Sequence, residues 1–315
     1  MPRLRKSRPY VSPGYRRVRR GTSFRYETDA KTVVSAEERA RVTALVIPPA
    51  WTNVWIAEAP NSHILAVGVD DAGRRQYIYH PDWRKRKDQD KFLKMQQLAA
   101  ALPSARRAVT RDLRTEGLTR VRVRAAAFRI LDTVAIRVGG EEYALEHGSH
   151  GLTTLLRRHA KVDGTTVTLK FPSKSGQRAE VTVTDVDLSA VLRELHAGSG
   201  AARLFAWRED GAVRRLGASE VNDYIAERTG GSFTAKDFRT LKGTVTAALE
   251  LARIGPGGGA KAHRQAVVAA SEELGNTPTI AKNSYIDPTV FDRYEAGEVI
   301  DRSGAPEPAL LKLLN

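Results

Sequence analysis

The chain has 315 residues, 51 of them Lys or Arg against 36 Asp or Glu, which gives a formal charge of +15, and it contains no cysteine. This composition excludes disulfides, thiolate catalysis and cysteine-based zinc sites, and no run approaches the ~18 consecutive apolar residues of a membrane helix. A hydrophobic content of 41% can fill one large core or two, two domains being the expected arrangement, and the basic excess points to a polyanion, above all nucleic acid.

Residues 1–21 read as a flexible basic arm. Eight Lys and Arg and no acid fall within the first twenty residues, and Pro2, Pro9, Pro13 and Gly14 interrupt any helix. More than half of the formal excess therefore sits in the arm. Residues 22–84 read as a small α+β domain. Ser35 followed by Glu38 is a capping-box start for a short helix, and β-like runs at 53–57, 63–69 and 75–79 surround a turn at Asp70 to Gly73. In the last run Gln76, Tyr77 and Tyr79 interleave polar and aromatic groups beside Arg74 and Arg75. That suits a sheet edge laid on a nucleic-acid groove, and burial of one or both tyrosines in a core fits the pattern equally well.

Residues 85–315 read as a mainly helical domain. The charged stretch from Trp83 to Lys91 is either a linker or the start of a long helix. Phe92, Met95, Leu98 and Leu102 then recur at helical spacing until Pro103 interrupts, and a second helix follows over about 104–116. A third helix, about 122–136, ends at Arg137 and Gly139-Gly140. Alternating Val167, Leu169, Phe171 and Ala179, Val181, Val183 predict a hairpin with Lys174 near its tip. Beyond it helices dominate: one capped by Asp187 and ended by Gly198, one capped by Ser219 and ended by Gly230, and longer ones at about 234–251 and 261–274, joined by a flexible glycine linker at 255–259. The last thirty residues hold six acids and three bases and read as a peripheral helix plus tail. Of the seven histidines, His147 and His150 are three apart without a third ligand, so neither a metal nor another cofactor is expected.

Tyr285 is one of nine tyrosines and gains meaning only beside separated cations: Arg137, Lys174 and the pair Lys236-x-x-Arg239. A phenol attacking a phosphodiester must lose a proton, the phosphorane's extra charge must be held, and the leaving oxygen must be protonated. Arginine stays cationic and offers paired donors to two phosphate oxygens, whereas lysine can give up a proton.

In order and spacing, IPPAWTNVWI (47–56), GRRQYIYHPDW (73–83), RVGGEEYA (137–144), HGLTTL (150–155), FPSKSG (171–176), KDFRTLKGT (236–244) and LGNTPTIAKNSY (274–285) resemble the poxvirus and bacterial branch of type IB DNA topoisomerases over nearly the whole chain. The resemblance implies an α+β fold, with a small N-terminal domain that closes a clamp on duplex DNA and a mainly helical catalytic domain of the tyrosine recombinase and topoisomerase IB kind. It implies that Arg137 and Arg239 hold the scissile phosphate, Lys174 protonates the leaving 5′-oxygen with help from Lys236, and Tyr285 forms a 3′-phosphotyrosyl bond, without ATP or metal. Double-stranded DNA is the implied partner. The expected state is a monomer in the cytoplasm, associated with the nucleoid if the source is bacterial. Where the family commonly has histidine the chain has Asn276, which can donate to a phosphate oxygen but cannot carry a proton, and which could instead cap a helix. Arg74, Arg75, Gln76, Tyr77, Tyr79 and Tyr143 are the candidate DNA-contacting residues. The alternatives are a tyrosine recombinase, disfavoured by Lys236 where recombinases typically carry histidine, and a non-enzymatic architectural DNA-binding protein.

Overall fold

The computed structural model describes residues 3–315, apart from the side chains of Tyr143 and Ser175. The chain is mixed, with about half of its residues in helices and the strands in small antiparallel sheets. It divides into two compact units between Asp90 and Lys91 rather than after Arg84, and the division falls inside a helix. No helix among the described residues is long and apolar enough to cross a membrane.

The first unit is a five-stranded antiparallel sheet built from β1 (Gly14–Arg20), β2 (Ser23–Glu27), β3 (Thr52–Ala57), β4 (Ile64–Val69) and β5 (Arg75–Tyr79), in the order β2-β1-β3-β4-β5. Helix α1 (Ala36–Thr43) starts on the expected capping box, in which Ser35 and Glu38 satisfy each other's backbone N–H groups. Its Val42 packs with Tyr15, Val54, Ile56 and Ala66 to form the unit's main core.

The segment expected to be a flexible arm is instead an integral part of this sheet. Arg5 exchanges backbone hydrogen bonds with Asn61 and His63, and β1 lies between β2 and β3. Gly14 is required there by close approach, since a Cβ would fall 2.3 Å from Trp55 Nε1 and 2.6 Å from Ile56 O. Arg17 donates to the carbonyls of Ile47, Pro48 and Trp51 and lies over the Phe24 ring, so a residue counted as free charge holds the IPPAW loop to the sheet. Strand β1 carries few apolar side chains, and its place is decided by backbone pairing and guanidinium contacts that a hydrophobic pattern does not register.

The second unit begins within α2 (Pro81–Leu113). The expected break at Pro103 does not occur, because this is one helix of 33 residues. A proline inside a helix costs about 3 kcal/mol. Here Met95, Leu98, Leu102, Ala105, Val109 and Leu113 form one buried stripe on both sides of it, and its burial outweighs that cost. Helix α3 (Arg120–Val134) lies in the core, with even Arg122 and Arg124 buried. Arg122 donates to the carbonyls of Leu113 and Gly117 at the end of α2 and pairs with Glu194; Arg124 pairs with Glu227.

After α4 (Glu141–His147) comes a three-stranded sheet, β6 (Ala160–Asp163), β7 (Thr166–Pro172) and β8 (Arg178–Thr184), with Val167, Leu169 and Phe171 opposite Val183, Val181 and Ala179. Helix α5 (Val186–His196) is capped by Asp185 rather than Asp187, which pairs with Arg114. A hairpin that the sequence pattern does not predict follows, β9 (Ala206–Glu209) and β10 (Ala212–Arg215). Its strands are four residues long and half charged, too short for alternation to show. Gly217, not Ser219, occupies the cap position of α6 (Ala218–Thr229), and Gly230 ends that helix in the left-handed conformation.

The remaining helices are α7 (Ala235–Ile254), α8 (Gly259–Leu274), α9 (Pro278–Tyr285), α10 (Thr289–Glu295) and α11 (Pro306–Leu314). The glycine linker between α7 and α8 is tethered: the Tyr294 hydroxyl donates to Gly255 O and accepts from Gly258 N. The C-terminal segment is likewise not peripheral. Leu310 and Leu314 lie in the main core, and Glu307 pairs with Arg106, which also pairs with Asp132.

Truncating Leu310 to Ala is therefore expected to cost about 2–5 kcal/mol. The urea unfolding midpoint checks this, and an unchanged midpoint would mean that α11 packs on nothing.

Candidate active site

Arg137 is placed by a tight backbone crossing. Helix α3 ends with Ala135 in the left-handed region, φ 46°, which turns the chain so that residues 137–139 run against the 150–154 loop. Leu152 N and Thr153 N donate to the carbonyls of Arg137 and Val138. A Cβ on Gly151 would lie 2.6 Å from Arg137 O, so the glycine of HGLTTL permits the approach. Beside it, His150 donates through Nδ1 to Thr154 O, which also accepts from Arg203.

Arg239 comes from the second turn of α7 and is 4% exposed. It donates through Nη1 to Ala135 O at 2.6 Å and through Nη2 to Leu274 O at 2.8 Å, and its guanidinium carbon lies 5.0 Å from the centre of the Tyr285 ring. Arg137 reaches the same helix end, donating to Gly275 O at 3.0 Å and to Asn276 Oδ1. Burial lowers the Arg137 pKa from its usual value, and the Arg239 charge lowers it further, while the Tyr285 phenol works in the opposite direction.

The structure thus brings together Arg137, Arg239, Asn276 and Tyr285, which are scattered over 149 positions of sequence. Two donors among them are buried without a partner: Arg239 Nε and Asn276 Nδ2. Because a guanidinium only donates, Arg137 must face the amide oxygen of Asn276, which leaves the NH₂ group pointing elsewhere. Asn276 is not the helix cap; Thr277 is, its hydroxyl accepting from Ile280 N. Tyr285 is the last residue of α9 rather than part of a loop.

Lys174 and Lys236 are not in this cluster. Lys174 is exposed on a short 3₁₀ turn at the β7–β8 tip, and Lys236 is exposed on the first turn of α7, one turn before Arg239. The base of the Lys174 hairpin, through Phe171, Ser173 and Gln177, lines a cleft of about 190 Å³ shared with Arg137, Arg239 and His150. In the sequence His150 stands out only by its three-residue spacing from His147. Only the fold places it on this cleft, 4.6 Å from the His159 ring.

In the first unit, Tyr77 and Tyr79 are 40% and 41% exposed and stack at 5.8 Å on the edge strand β5, which resolves their position in favour of the surface. Arg75 lies over the Tyr10 ring. Arg74 and Gln76 both donate to Asp70, whose pKa is lowered to about 2 chiefly by the Arg74 hydrogen bonds. The Tyr143 side chain lies outside the described residues.

A sequence model of the family described as eukaryotic DNA topoisomerase I, catalytic core, matches residues 80–296. A second, the bacterial DNA topoisomerase IB N-terminal domain, matches residues 23–70. The chain belongs to the type IB DNA topoisomerases. A DNA topoisomerase 1B of Acanthamoeba polyphaga mimivirus is 33% identical over 238 residues, covering 74% of this chain and 70% of that protein. For a type IB topoisomerase the substrate is DNA.

Behind the cleft of this topoisomerase, burial lowers the His159 pKa to about 4, helped by the charges of His150, Arg158 and Arg203. An unfolded histidine titrates near ~6.5, so between about pH 6.5 and 4 the unfolded chain binds a proton that the folded chain does not. Stability should therefore fall as pH drops through that window. Thermal melts of His159→Gln should show a flatter dependence over the same range than wild type.

Proposed function

We propose that Tyr285 is the nucleophile by which this topoisomerase cleaves one strand of duplex DNA. The phenolate oxygen attacks phosphorus, the bond from phosphorus to the 5′-oxygen breaks, and the leaving oxygen takes a proton while a 3′-phosphotyrosyl bond forms. Rotation of the free 5′ end about the intact strand and reversal of the attack then relax supercoils. The covalent bond conserves the energy of the one broken, so no ATP is consumed.

The observation that carries this reading is the Arg239 guanidinium over the Tyr285 ring, with unpaired donors on Arg239 and Asn276 and with Arg137 held at Gly275 and Asn276 beside them. A guanidinium has five N–H donors, and the carbonyls of Ala135 and Leu274 occupy only part of the Arg239 set. The remainder suits nonbridging phosphate oxygens whose charge grows in the transition state. Because the arginines are already held, little ordering remains to be done when the phosphate arrives.

Lys174 is assigned as the general acid, assisted by Lys236. Its exposed hairpin tip supports a role that begins only when DNA is bound, and a flexible lysine can deliver a proton where an arginine cannot. The exposed β5 face, with Arg75, Tyr77 and Tyr79, is read as a DNA contact, with Arg74 and Gln76 exchanging Asp70 for phosphate or base edges. We also read the chain as acting as a monomer in the cytoplasm, since one tyrosine suffices for each strand cut.

Supercoiled plasmid incubated in EDTA without ATP should relax stepwise, and detergent quenching should trap a DNA-linked band. Tyr285→Phe should abolish both. A band without relaxation would favour strand exchange by a recombinase, and neither would leave simple binding. Arg137→Ala and Arg239→Ala should each slow cleavage by about 10²-fold or more, whereas Asn276→Ala should cost under about tenfold. Equal losses for all three would overturn that ranking. Lys174→Ala should slow cleavage of ordinary DNA but not of a substrate whose leaving 5′-oxygen is replaced by sulfur, because a thiolate leaves unprotonated; failure of sulfur to restore the rate would remove Lys174 from the proton transfer.

A further inference from the structure

Helix α7 carries more than Arg239. Four residues further along, Gly243 sits in the interior of a 20-residue helix, where glycine is disfavoured and its helical backbone does not require it. Space explains it. A Cβ at Gly243 would lie 2.7 Å from Tyr285 O, 3.1 Å from Tyr285 Cβ and 3.0 Å from Leu274 Cδ1. The first two atoms belong to the residue assigned as nucleophile, and the third to the residue whose carbonyl holds Arg239.

Thr244 completes the contact. It is fully buried, and its Oγ1 accepts from Asp287 N at 3.1 Å. The same hydroxyl stands 3.3 Å from Tyr285 O and 2.9 Å from Thr240 O, so its single proton goes to one of these two carbonyls. Tyr285 ends α9, where carbonyls lack a partner within the helix. One threonine thus holds the backbone just after Ile286 through Asp287 N and lies within hydrogen-bond reach of Tyr285 O just before it.

We infer that Gly243 and Thr244 are positioning residues that fix how far Tyr285 stands from Arg239. Arg239 and Gly243 are one turn apart on the same rigid helix, so α7 acts as a spacer between phosphate clamp and nucleophile. The inference rests on the assignment of Tyr285 as the attacking residue. A nucleophile displaced by about 1 Å can lose about 10²-fold in rate while ground-state binding is unchanged.

The test is single-turnover formation of the covalent adduct on a saturating nicked-duplex substrate, with DNA affinity measured separately in a Tyr285→Phe background. Gly243→Ala should slow adduct formation about 10- to 100-fold without changing affinity. Thr244→Val should also be slow, and Thr244→Ser, which restores the hydroxyl, should recover to within about threefold of wild type. Thermal melts show which variants are folded. If Gly243→Ala does not fold, the Thr244 pair decides alone, because Val keeps the branched shape without the hydroxyl and Ser keeps the hydroxyl without the methyl. A folded Gly243→Ala that cleaves at the wild-type rate overturns the inference, as do equal rates for Thr244→Val and Thr244→Ser, or a parallel loss of affinity and cleavage. Absence of adduct from wild type would instead overturn the assignment of Tyr285 itself.

Discussion

The buried guanidinium of Arg239 is the contact on which the site depends. A charge removed from water is tolerated only when hydrogen-bonded, and here the partners are Ala135 O at the end of α3 and Leu274 O at the end of α8. Both carbonyls belong to helix C-termini, where the last turn carries excess acceptors and the negative end of the helix dipole. One side chain on α7 therefore joins the ends of two other helices and also covers the Tyr285 ring. Removing it would leave two buried carbonyls unmatched and the tyrosine uncovered.

The α8 end serves both arginines. Gly275 is in the left-handed conformation, φ 56°, and its carbonyl together with the Asn276 amide oxygen receives Arg137. Asn276 thus has a structural use visible without DNA, orienting one arginine while its NH₂ group stays unpaired. A histidine at this position would bring a chargeable ring next to two guanidiniums. Asparagine supplies an acceptor and a donor without adding charge to an already repulsive pair, and in that respect it suits this site.

The N-terminal unit shows how a basic segment can be structural rather than solvated. Arg17 satisfies three loop carbonyls, and the strand that carries it is paired on both edges. In the second unit, Arg122 does the same for the end of α2. Formal charge therefore overstates the positive surface open to a nucleic acid, since several of the cations are engaged with backbone oxygens.

Much of the fold could be read from local pattern. The α1 capping box, the strands around the Asp70 turn, the β7–β8 alternation and the amphipathic α7 and α8 all arise from interactions within a few residues. The motif strings carried the family and the identities of Arg137, Arg239 and Tyr285 as residue types suited to phosphodiester chemistry. The continuity of α2 through Pro103, the strand in the basic segment, the short β9–β10 hairpin and the core role of α11 were not readable, because each depends on partners distant in sequence. By itself the sequence determined which chemistry was possible. Tertiary structure decided which groups meet: it seated Tyr285 on Gly243 and Thr244, gathered the arginines at the end of α8, and left Lys174 and Lys236 exposed outside that cluster. The physical reason is that a hydrogen-bonded buried charge is set by long-range packing, and neither propensity nor periodicity encodes where its partner lies.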